Sequence, residues 1–217
     1  MGNMTRDDVL AIIAAAHEEG ERPNLSYANL TGVDLTGVDL AGVNLAHSMM
    51  RHAKLSYVRL ERAVLVGADA GWVNLLEGNL TGADLTGANL TGAEMAGANL
   101  TGAHMPVADL TGANLSGANV FGAELSDVNL TGANLDNANL TGANLADVNL
   151  DNAKLADDPT TLIDHTVPEV RVWAAQRITD PKVLLHLATD ADEQVRAAVV
   201  GNEFCPAAVA AIAALTS

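Results

Sequence analysis

One apolar residue recurs at every fifth position of this chain, from residue 25 to residue 155, without insertion or deletion. Leu fills most of these 27 positions, and the exceptions are Met50, Ala70, Met95, Met105 and Val120. A small residue stands two positions earlier, Asn or Asp usually falls between the two, and Thr and Gly usually follow. A period of five fits neither an α-helix, with about 3.6 residues per turn, nor a long strand, which repeats every two residues.

Each pentapeptide predicts a short strand followed by a sharp turn. The small and central side chains would point inward and their neighbours outward, and Gly would accept the positive φ of the turn. A chain that turns once per pentapeptide closes a four-sided coil after four turns. Successive coils would stack at roughly 4.8 Å, so 27 repeats make just under seven coils, about 32 Å in length. The predicted fold class is an all-β solenoid.

These pentapeptides resemble the pentapeptide-repeat family, whose consensus is a small residue, Asp or Asn, Leu or Phe, a polar residue, and Gly. The resemblance runs from about residue 23 to residue 156 and implies a right-handed quadrilateral β-helix. Some members resemble B-DNA in width and charge, bind type II topoisomerases such as DNA gyrase, and protect gyrase from quinolones or similar poisons. This chain differs in two respects: a helical region occupies the end through which such members usually dimerise, and no loop interrupts its register.

The segments on either side of the repeats are predicted to be helical. Residues 1–22 are expected to form an N-terminal helical cap, because Thr5 and Asp8 are a near capping box and Gly20 suits a helix end. The apolar stripe of this helix is Val9, Leu10, Ile12 and Ile13. Residues 23–157 are assigned to the β-helix and residues 158–217 to an α-helical C-terminal region.

The C-terminal region contains an internal repeat with an offset of 25 residues. Val170-Arg171 matches Val195-Arg196, and Pro181 matches Pro206. Pro159, Pro181 and Pro206 each suit the first position of a helix. The pattern resembles leucine-rich-variant repeats, which are related in style to HEAT repeats. Two interpretations stay open: a plain cap over the last coil, or a module for docking or dimerisation.

Charge and cysteine content limit the partners that this chain can have. Acidic residues number 27 against 11 Lys and Arg, for a formal net charge of −16. That balance argues against direct nucleic-acid binding and against an anionic membrane surface, and it suits a basic protein partner. The single cysteine, Cys205, excludes an internal disulfide and favours a cytoplasmic location. No stretch is long enough to span a bilayer, and a homodimer is compatible with the sequence.

No constellation of catalytic or metal-binding residues emerges from the sequence. The six His residues do not pair at a helical spacing of four, and no Cys accompanies them at zinc spacing. The glycines recur as turn punctuation rather than as a phosphate-binding loop. We therefore expect no enzyme activity, no cofactor and no metal.

Positions 20 apart should stack in columns, which allows the faces of the solenoid to be compared. The two adjoining faces that begin with Leu25 and Leu30 carry only acidic charge beyond the second coil, with no Lys or Arg. These candidate partner-binding carboxylates are Asp69, Asp84, Asp109, Glu124, Asp127, Asp147 and Asp151. The face of Leu40 carries no charge after residue 62. The prism should therefore have an acidic side and a neutral side.

The second coil departs from the repeat, because its four corners are His47, His52, Tyr57 and Arg62 instead of Gly. This coil and the adjacent Trp form a second candidate contact surface, consisting of His47, Arg51, His52, Lys54, Arg59, Arg62 and Trp72. An exposed Trp is a plausible anchor for a partner. Two other readings stay open: a variable coil that interrupts a sticky repeat, and a Trp that packs under the basic side chains.

Two functional hypotheses follow from these patterns. The first is a non-catalytic, acidic DNA mimic that binds a type II topoisomerase, DNA gyrase in particular, and confers resistance to topoisomerase poisons. The second is a protein–protein interaction scaffold or adaptor that docks through the helical C-terminal region and the residue 47–72 band.

Overall fold

The computed structural model describes residues 2–215, which divide into two compact units, Met1–Lys154 and Leu155–Ser217. The first residue of the predicted N-terminal cap and the last two residues of the predicted C-terminal region lie outside the described residues. The order of helical elements is α1 (Arg6–Glu19), a 3₁₀ turn (Pro159–Leu162), α2 (Pro168–Arg177), α3 (Pro181–Leu187), α4 (Glu193–Val200) and α5 (Ala207–Leu215). Between α1 and the 3₁₀ turn the chain forms a β-solenoid.

The strands of the solenoid are single parallel bridges that join each coil to the next. The residue before the central one in each pentapeptide, from Asn24 to Asn134, pairs with the residue 20 positions later, for example Asn24 with Asn44 and Asn134 with Lys154. Four such ladders run along the solenoid, one for each side of a coil. A coil therefore contains four pentapeptides, as the five-residue period predicts.

Main-chain hydrogen bonds of one pentapeptide recur in the others. The Leu25 N–H donates to the Asn44 carbonyl at 2.7 Å, and the corner residue Tyr27 donates to Ala46 at 3.0 Å. Ala28 N–H closes the turn onto the Leu25 carbonyl at 3.1 Å. In the opposite direction, the polar residue of each coil donates to the preceding coil, as Asn44 does to Pro23 at 2.9 Å. Backbone carbonyls thus accept hydrogen bonds from four of the five N–H groups of a pentapeptide.

The fifth N–H belongs to the residue after the central one, and it explains why Asn or Asp stands before the central residue. The Thr31 N–H donates to Asn29 Oδ1 at 3.2 Å and the Thr36 N–H to Asp34 Oδ1 at 3.1 Å, the geometry of an Asx turn. The bond recurs wherever the preceding position is Asn or Asp, including Thr111 on Asp109 at 3.0 Å. The side chain therefore completes the hydrogen bonding of the pentapeptide, whether or not it is charged.

Every corner residue from 27 to 152 has a positive φ. Gly, Asn and Asp tolerate this left-handed conformation, whereas other L-residues are strained in it. The second coil, residues 43–62, has φ values of 57–58° at His47, His52, Tyr57 and Arg62, and so lacks a tolerant residue at all four corners. Gly67 and Gly92 are needed for space as well, because a Cβ would lie 2.6 Å from His47 Nδ1 and from Trp72 Nε1, respectively.

The interior of the solenoid is filled by the central and small residues. Leu30, Leu60, Leu90 and Leu110 have no exposed surface, and the small positions between them are nearly all buried Ala or Val. Ser48 takes one such small position; it is fully buried, and its hydroxyl has no hydrogen-bond partner among the described residues. The core thus consists of many small identical cells, which explains why the chain needs so few aromatic residues.

Helix α1 and the residues before it lie against the open edge of the first coil. Thr5 caps the helix in a complete capping box with Asp8, and Gly20 ends it at φ 70°. Met4 N–H donates to the Asn29 carbonyl at 2.8 Å, and Arg6 Nη1 donates to the Asp34 carbonyl at 3.0 Å. These carbonyls would otherwise lack the donors that a preceding coil supplies.

The apolar stripe predicted for α1 is narrower than expected. Val9 and Ile13 are buried, Ile12 is half-buried, and Leu10 is 40% exposed. The helix therefore makes contact along one line of side chains rather than across a broad face.

In the second unit, aspartates open three of the helical segments. Asp158, Asp180 and Asp192 each accept a hydrogen bond from a backbone N–H in the first turn that follows. Helix α5 begins one residue after Pro206, whereas Pro159 and Pro181 are the first residues of their elements. Asn202 is buried and donates to the carbonyls of Ala175 at 2.7 Å and Ile178 at 2.9 Å, which closes the C-terminal end of α2.

Candidate partner-binding surfaces

The acidic side of the solenoid is not uniform along its length. Asp69, Asp84 and Asp109 in coils three to five are half-buried, whereas the acidic residues of the last two coils are exposed. Those exposed carboxylates are Glu124, Asp127, Asp147 and Asp151. The free negative charge of this side therefore lies mainly at its C-terminal end.

Asp69 stands apart from the other acidic candidates because its charge is already paired. Its Oδ1 accepts from Arg51 Nη1 at 3.2 Å and from Asn89 Nδ2 at 3.0 Å. The ion pair joins the second coil to the third. Asp69 thus contributes little to the field that a partner would meet.

Asp84 and Asp109 are held by the threonines that follow them. Thr86 donates to Asp84 Oδ1 through its N–H at 3.0 Å and its hydroxyl at 2.6 Å, and Thr111 does the same to Asp109. Partial burial acts to raise the pKa of Asp109, but hydrogen bonds from Thr111 and Thr91 outweigh it and leave the pKa below its ordinary value. Both carboxylates are therefore fixed in position, and Asp109 is held in its charged form.

The exposed carboxylates of the last two coils occupy two kinds of position. Asp127 and Asp147 are corner residues at φ 58° and 55°, stacked in one column. Glu124 takes the polar position of its pentapeptide and accepts from Asn144 Nδ2 in the next coil at 2.8 Å. Since successive coils are about 4.8 Å apart, these charges form a ladder along one edge.

The basic residues of the second coil are largely neutralised by neighbouring coils. Lys54 Nζ lies 3.6 Å from Asp34, and Arg59 Nη1 lies 2.8 Å from Asp39. Arg59 also contacts Glu61 at 3.2 Å, while Arg62 is exposed at its corner. Because Arg51 pairs with Asp69, the band is closer to a set of inter-coil ion pairs than to a free basic surface.

Aromatic stacks extend along two adjacent corners of the same band. The rings of His52 and Trp72 are stacked with centroids 5.8 Å apart, and the Arg51 guanidinium lies 4.9 Å above the Trp72 ring. Tyr27 stacks on His47 at 5.2 Å along the neighbouring corner. Trp72 is nevertheless 49% exposed. Trp72 thus packs against a basic side chain and still leaves about half of its surface exposed to solvent.

Three exposed residues in or beside this band were not among the candidate contact residues. Tyr27 is 64% exposed, Tyr57 is 54% exposed and Met49 is 42% exposed, and all three lie beside the predicted residues of the second coil. Tyr27 stands 20 positions before His47. The column rule that grouped the other residues could therefore have identified it.

The described residues contain no cluster of three or more His, Cys, Asp or Glu side chains that could hold a metal ion. Within the same part of the chain, no helix is both long and apolar enough to cross a membrane.

A comparison with protein-family models identifies pentapeptide repeats in eight copies, at residues 24–56, 78–117, 90–127 and 123–157. The chain belongs to the pentapeptide-repeat family. Membership establishes the right-handed β-helix that the family resemblance implies. The sequence matches none of the curated proteins with which it was compared.

Solved structures of other pentapeptide-repeat proteins are similar to parts of the chain. One is QnrB1, a plasmid-mediated fluoroquinolone resistance protein: 22% identity over 65% of this chain and 81% of that one, with a TM-score of 0.37. A second is alr5209 from Nostoc Pcc 7120, with 26% identity over 52% and 84% and a TM-score of 0.36. A third is HetL from Nostoc sp. strain PCC 7120, which is involved in heterocyst differentiation regulation, with 26% identity over 72% and 97% and a TM-score of 0.22. Similarity this loose does not transfer a function.

Proposed function

We propose that this protein is a non-catalytic binding protein whose acidic side imitates duplex DNA and binds a type II topoisomerase such as DNA gyrase. The observation that carries the proposal is the pair of adjoining faces that bear seven carboxylates and no Lys or Arg beyond the second coil. The choice of a topoisomerase follows from the family resemblance, and protection of that enzyme from its poisons is the biological outcome that we propose.

The density of charge on the solenoid is compatible with the proposal. Residues 23–157 contain 14 acidic residues against 5 basic ones, a net charge of −9. Duplex DNA carries one charge per about 1.7 Å, so roughly 32 Å of duplex carries on the order of 19 charges. The solenoid has about half that density, and −6 of its net charge of −9 lies on the two adjoining acidic faces, which carry seven acidic residues and Arg51.

The ion pairs of the second coil indicate which part of the acidic side is free to bind a partner. Arg51, Lys54 and Arg59 each pair with an acidic residue of the first three coils. Unpaired negative charge therefore dominates from coil four onward. We propose that Asp84, Asp109 and the exposed carboxylates of the last two coils contact the basic, DNA-binding surface of the partner.

A gyrase supercoiling assay tests the proposal. Wild-type protein at micromolar concentration should inhibit supercoiling or protect gyrase from a quinolone, and the effect should weaken as salt rises. The double variant Asp84→Asn/Asp109→Asn should weaken the effect, because it removes two of the six carboxylates that we assign to the partner. Asn occupies the equivalent position of neighbouring pentapeptides and makes the same Asx turn, as Asn89 does with the Thr91 N–H at 3.0 Å, so the fold should survive.

Glu94→Gln is the matched control, because it removes one exposed carboxylate from a different face of the solenoid. It should retain the activity of the wild-type protein. If the wild-type protein neither inhibits nor protects gyrase, the proposal is wrong.

The second candidate function, a protein–protein scaffold or adaptor, is favoured by the exposed aromatic stacks of the residue 47–72 band. Residues held in a sparsely populated conformation often mark a functional surface, and four strained corners fall within one coil here. A Trp72→Ala variant that loses its protein partner while Asp84→Asn/Asp109→Asn keeps it would favour the scaffold. The reverse result would favour the DNA mimic.

A further inference from the structure

The two halves of the helical repeat in the second unit place an arginine at the same position. Arg171 in α2 and Arg196 in α4 are 25 residues apart. The Nη1 group of each donates to the turn before its own helix: Arg171 to the His165 carbonyl at 2.7 Å, and Arg196 to the Asp190 carbonyl at 2.8 Å. In both arginines, Nη1 therefore donates to a backbone carbonyl of the turn that precedes the helix.

The other side of the two guanidinium groups differs. Arg171 Nε and Nη2 each donate to the Asp190 carboxylate at 2.8 Å, a bidentate pair with the turn of the following half-repeat. Arg196 is only 7% exposed, and its Nε is buried with no hydrogen-bond partner among the described residues. The position that matches Asp190 is 215, which is Leu. Among the described residues, Arg196 thus has no carboxylate partner of the kind that Asp190 provides to Arg171.

Apolar residues show the same contrast between the two half-repeats. Ala175 in α2 has no exposed surface, whereas Val200, its counterpart in α4, is 48% exposed. Leu187 in α3 is also fully buried, whereas its counterpart Ile212 in α5 is 37% exposed. Residues that are buried on α2 and α3 thus have apolar counterparts on α4 and α5, and these counterparts are partly exposed to solvent.

We propose that this α4–α5 face, defined by Arg196, Val200 and Ile212, is a docking surface for a helical repeat of a partner protein that bears an aspartate. The partner's aspartate would pair with Arg196 as Asp190 pairs with Arg171, and its helices would cover Val200. Buried guanidinium groups require an acceptor, and the internal repeat specifies its chemistry as a carboxylate. A second copy of this chain is a poor occupant, because two α4–α5 faces would bring two Arg196 cations together.

The surface lies in the second unit and does not depend on the acidic side of the solenoid. An extended chain tests it by supplying the partner repeat in cis, at high effective concentration. The extended protein is residues 1–214 followed by a second copy of residues 190–217, so that the copied Asp stands at position 215. We expect a melting midpoint of the helical unit several degrees above that of the natural chain. We also expect slower hydrogen exchange at Arg196 Nε by NMR.

Two controls separate docking from a general effect of added helix. Asp→Asn in the copied turn should abolish the gain in melting midpoint, because the bidentate charged pair is lost, and Val200→Lys in the extended chain should abolish it independently. Equal midpoints for the Asp and Asn forms, with unchanged Arg196 exchange, would overturn the proposal. So would a dimer of the natural chain, seen by analytical ultracentrifugation, that Val200→Lys dissociates, because the occupant would then be a second copy.

Discussion

Replacement of two corner glycines by alanine tests how far the stacked aromatic band stabilises the solenoid. Gly92 and Gly112 lie in the same corner column, with φ values of 64° and 65°. An added Cβ at Gly112 would meet nothing within 4 Å, whereas one at Gly92 would lie 2.6 Å from Trp72 Nε1. The two substitutions are therefore identical in backbone strain and differ only in the indole.

The expected magnitudes follow from that difference. Gly112→Ala should cost about 1 kcal/mol, because a left-handed L-residue costs roughly 1–2 kcal/mol and the gain from a stiffer unfolded chain offsets about 0.4–1 kcal/mol. Gly92→Ala must also displace Trp72 from His52 and Arg51. Loss of an aromatic stack, about 0.5–1.5 kcal/mol, and of an exposed cation–π contact, about 0.5–1 kcal/mol, brings its cost to roughly 2–3 kcal/mol.

Urea unfolding followed by circular dichroism measures both costs, and a Trp72→Ala background provides the control. Without the indole, the two substitutions should destabilise the protein equally, within the roughly 0.5 kcal/mol expected for independent sites. If Gly92→Ala and Gly112→Ala already cost the same in the natural chain, the indole moves aside freely and the reasoning is refuted.

Three further predictions concern single side chains. Ser48→Ala should raise the free energy of unfolding by about 1 kcal/mol in urea melts, because it removes a buried hydroxyl that has no partner among the described residues; a loss of stability would contradict this. Asp109→Ala should cost about 1–2 kcal/mol in the same assay, because it removes the acceptor of Thr111, whereas Asp109→Asn should be nearly neutral. Partial burial acts to raise the pKa of Asp190, but the Arg171 guanidinium outweighs it and leaves the pKa low. Its contribution to stability is therefore present above the unfolded pKa of about 3.9 and lost as pH falls through the folded value. An acid titration of helical ellipticity should show this loss, and Asp190→Asn should abolish it.

The candidate surfaces were predictable from the sequence to different degrees. The stacking of positions 20 apart placed Asp127 above Asp147 and His52 above Trp72, as the structure does. The sequence did not reveal that Arg51, Lys54 and Arg59 pair with acidic residues of adjacent coils. Side chains of this length reach either a neighbour or solvent, and only the conformation of the side chain decides between them.

The helical unit shows a larger gap between sequence and structure. The offset of 25 residues marks Arg171 and Arg196 as equivalent and Leu215 as the counterpart of Asp190, but it does not show that Asp190 binds Arg171. Asp190 reaches Arg171 because α4 packs against α2. The packing of the helices therefore decides which of the two guanidinium groups binds a carboxylate.

The sequence by itself determined the solenoid, because each pentapeptide contains the residues that its local structure requires. Leu fills the interior, Asn or Asp accepts from the fifth N–H, and Gly adopts the left-handed conformation of the corner. These are local interactions repeated at a fixed interval, so one unit predicts the next. Only the tertiary structure decided which charges are neutralised, which aromatic rings stack, and which face of the helical unit stays open. Those outcomes depend on contacts between side chains from different coils and helices, whose directions the sequence does not specify.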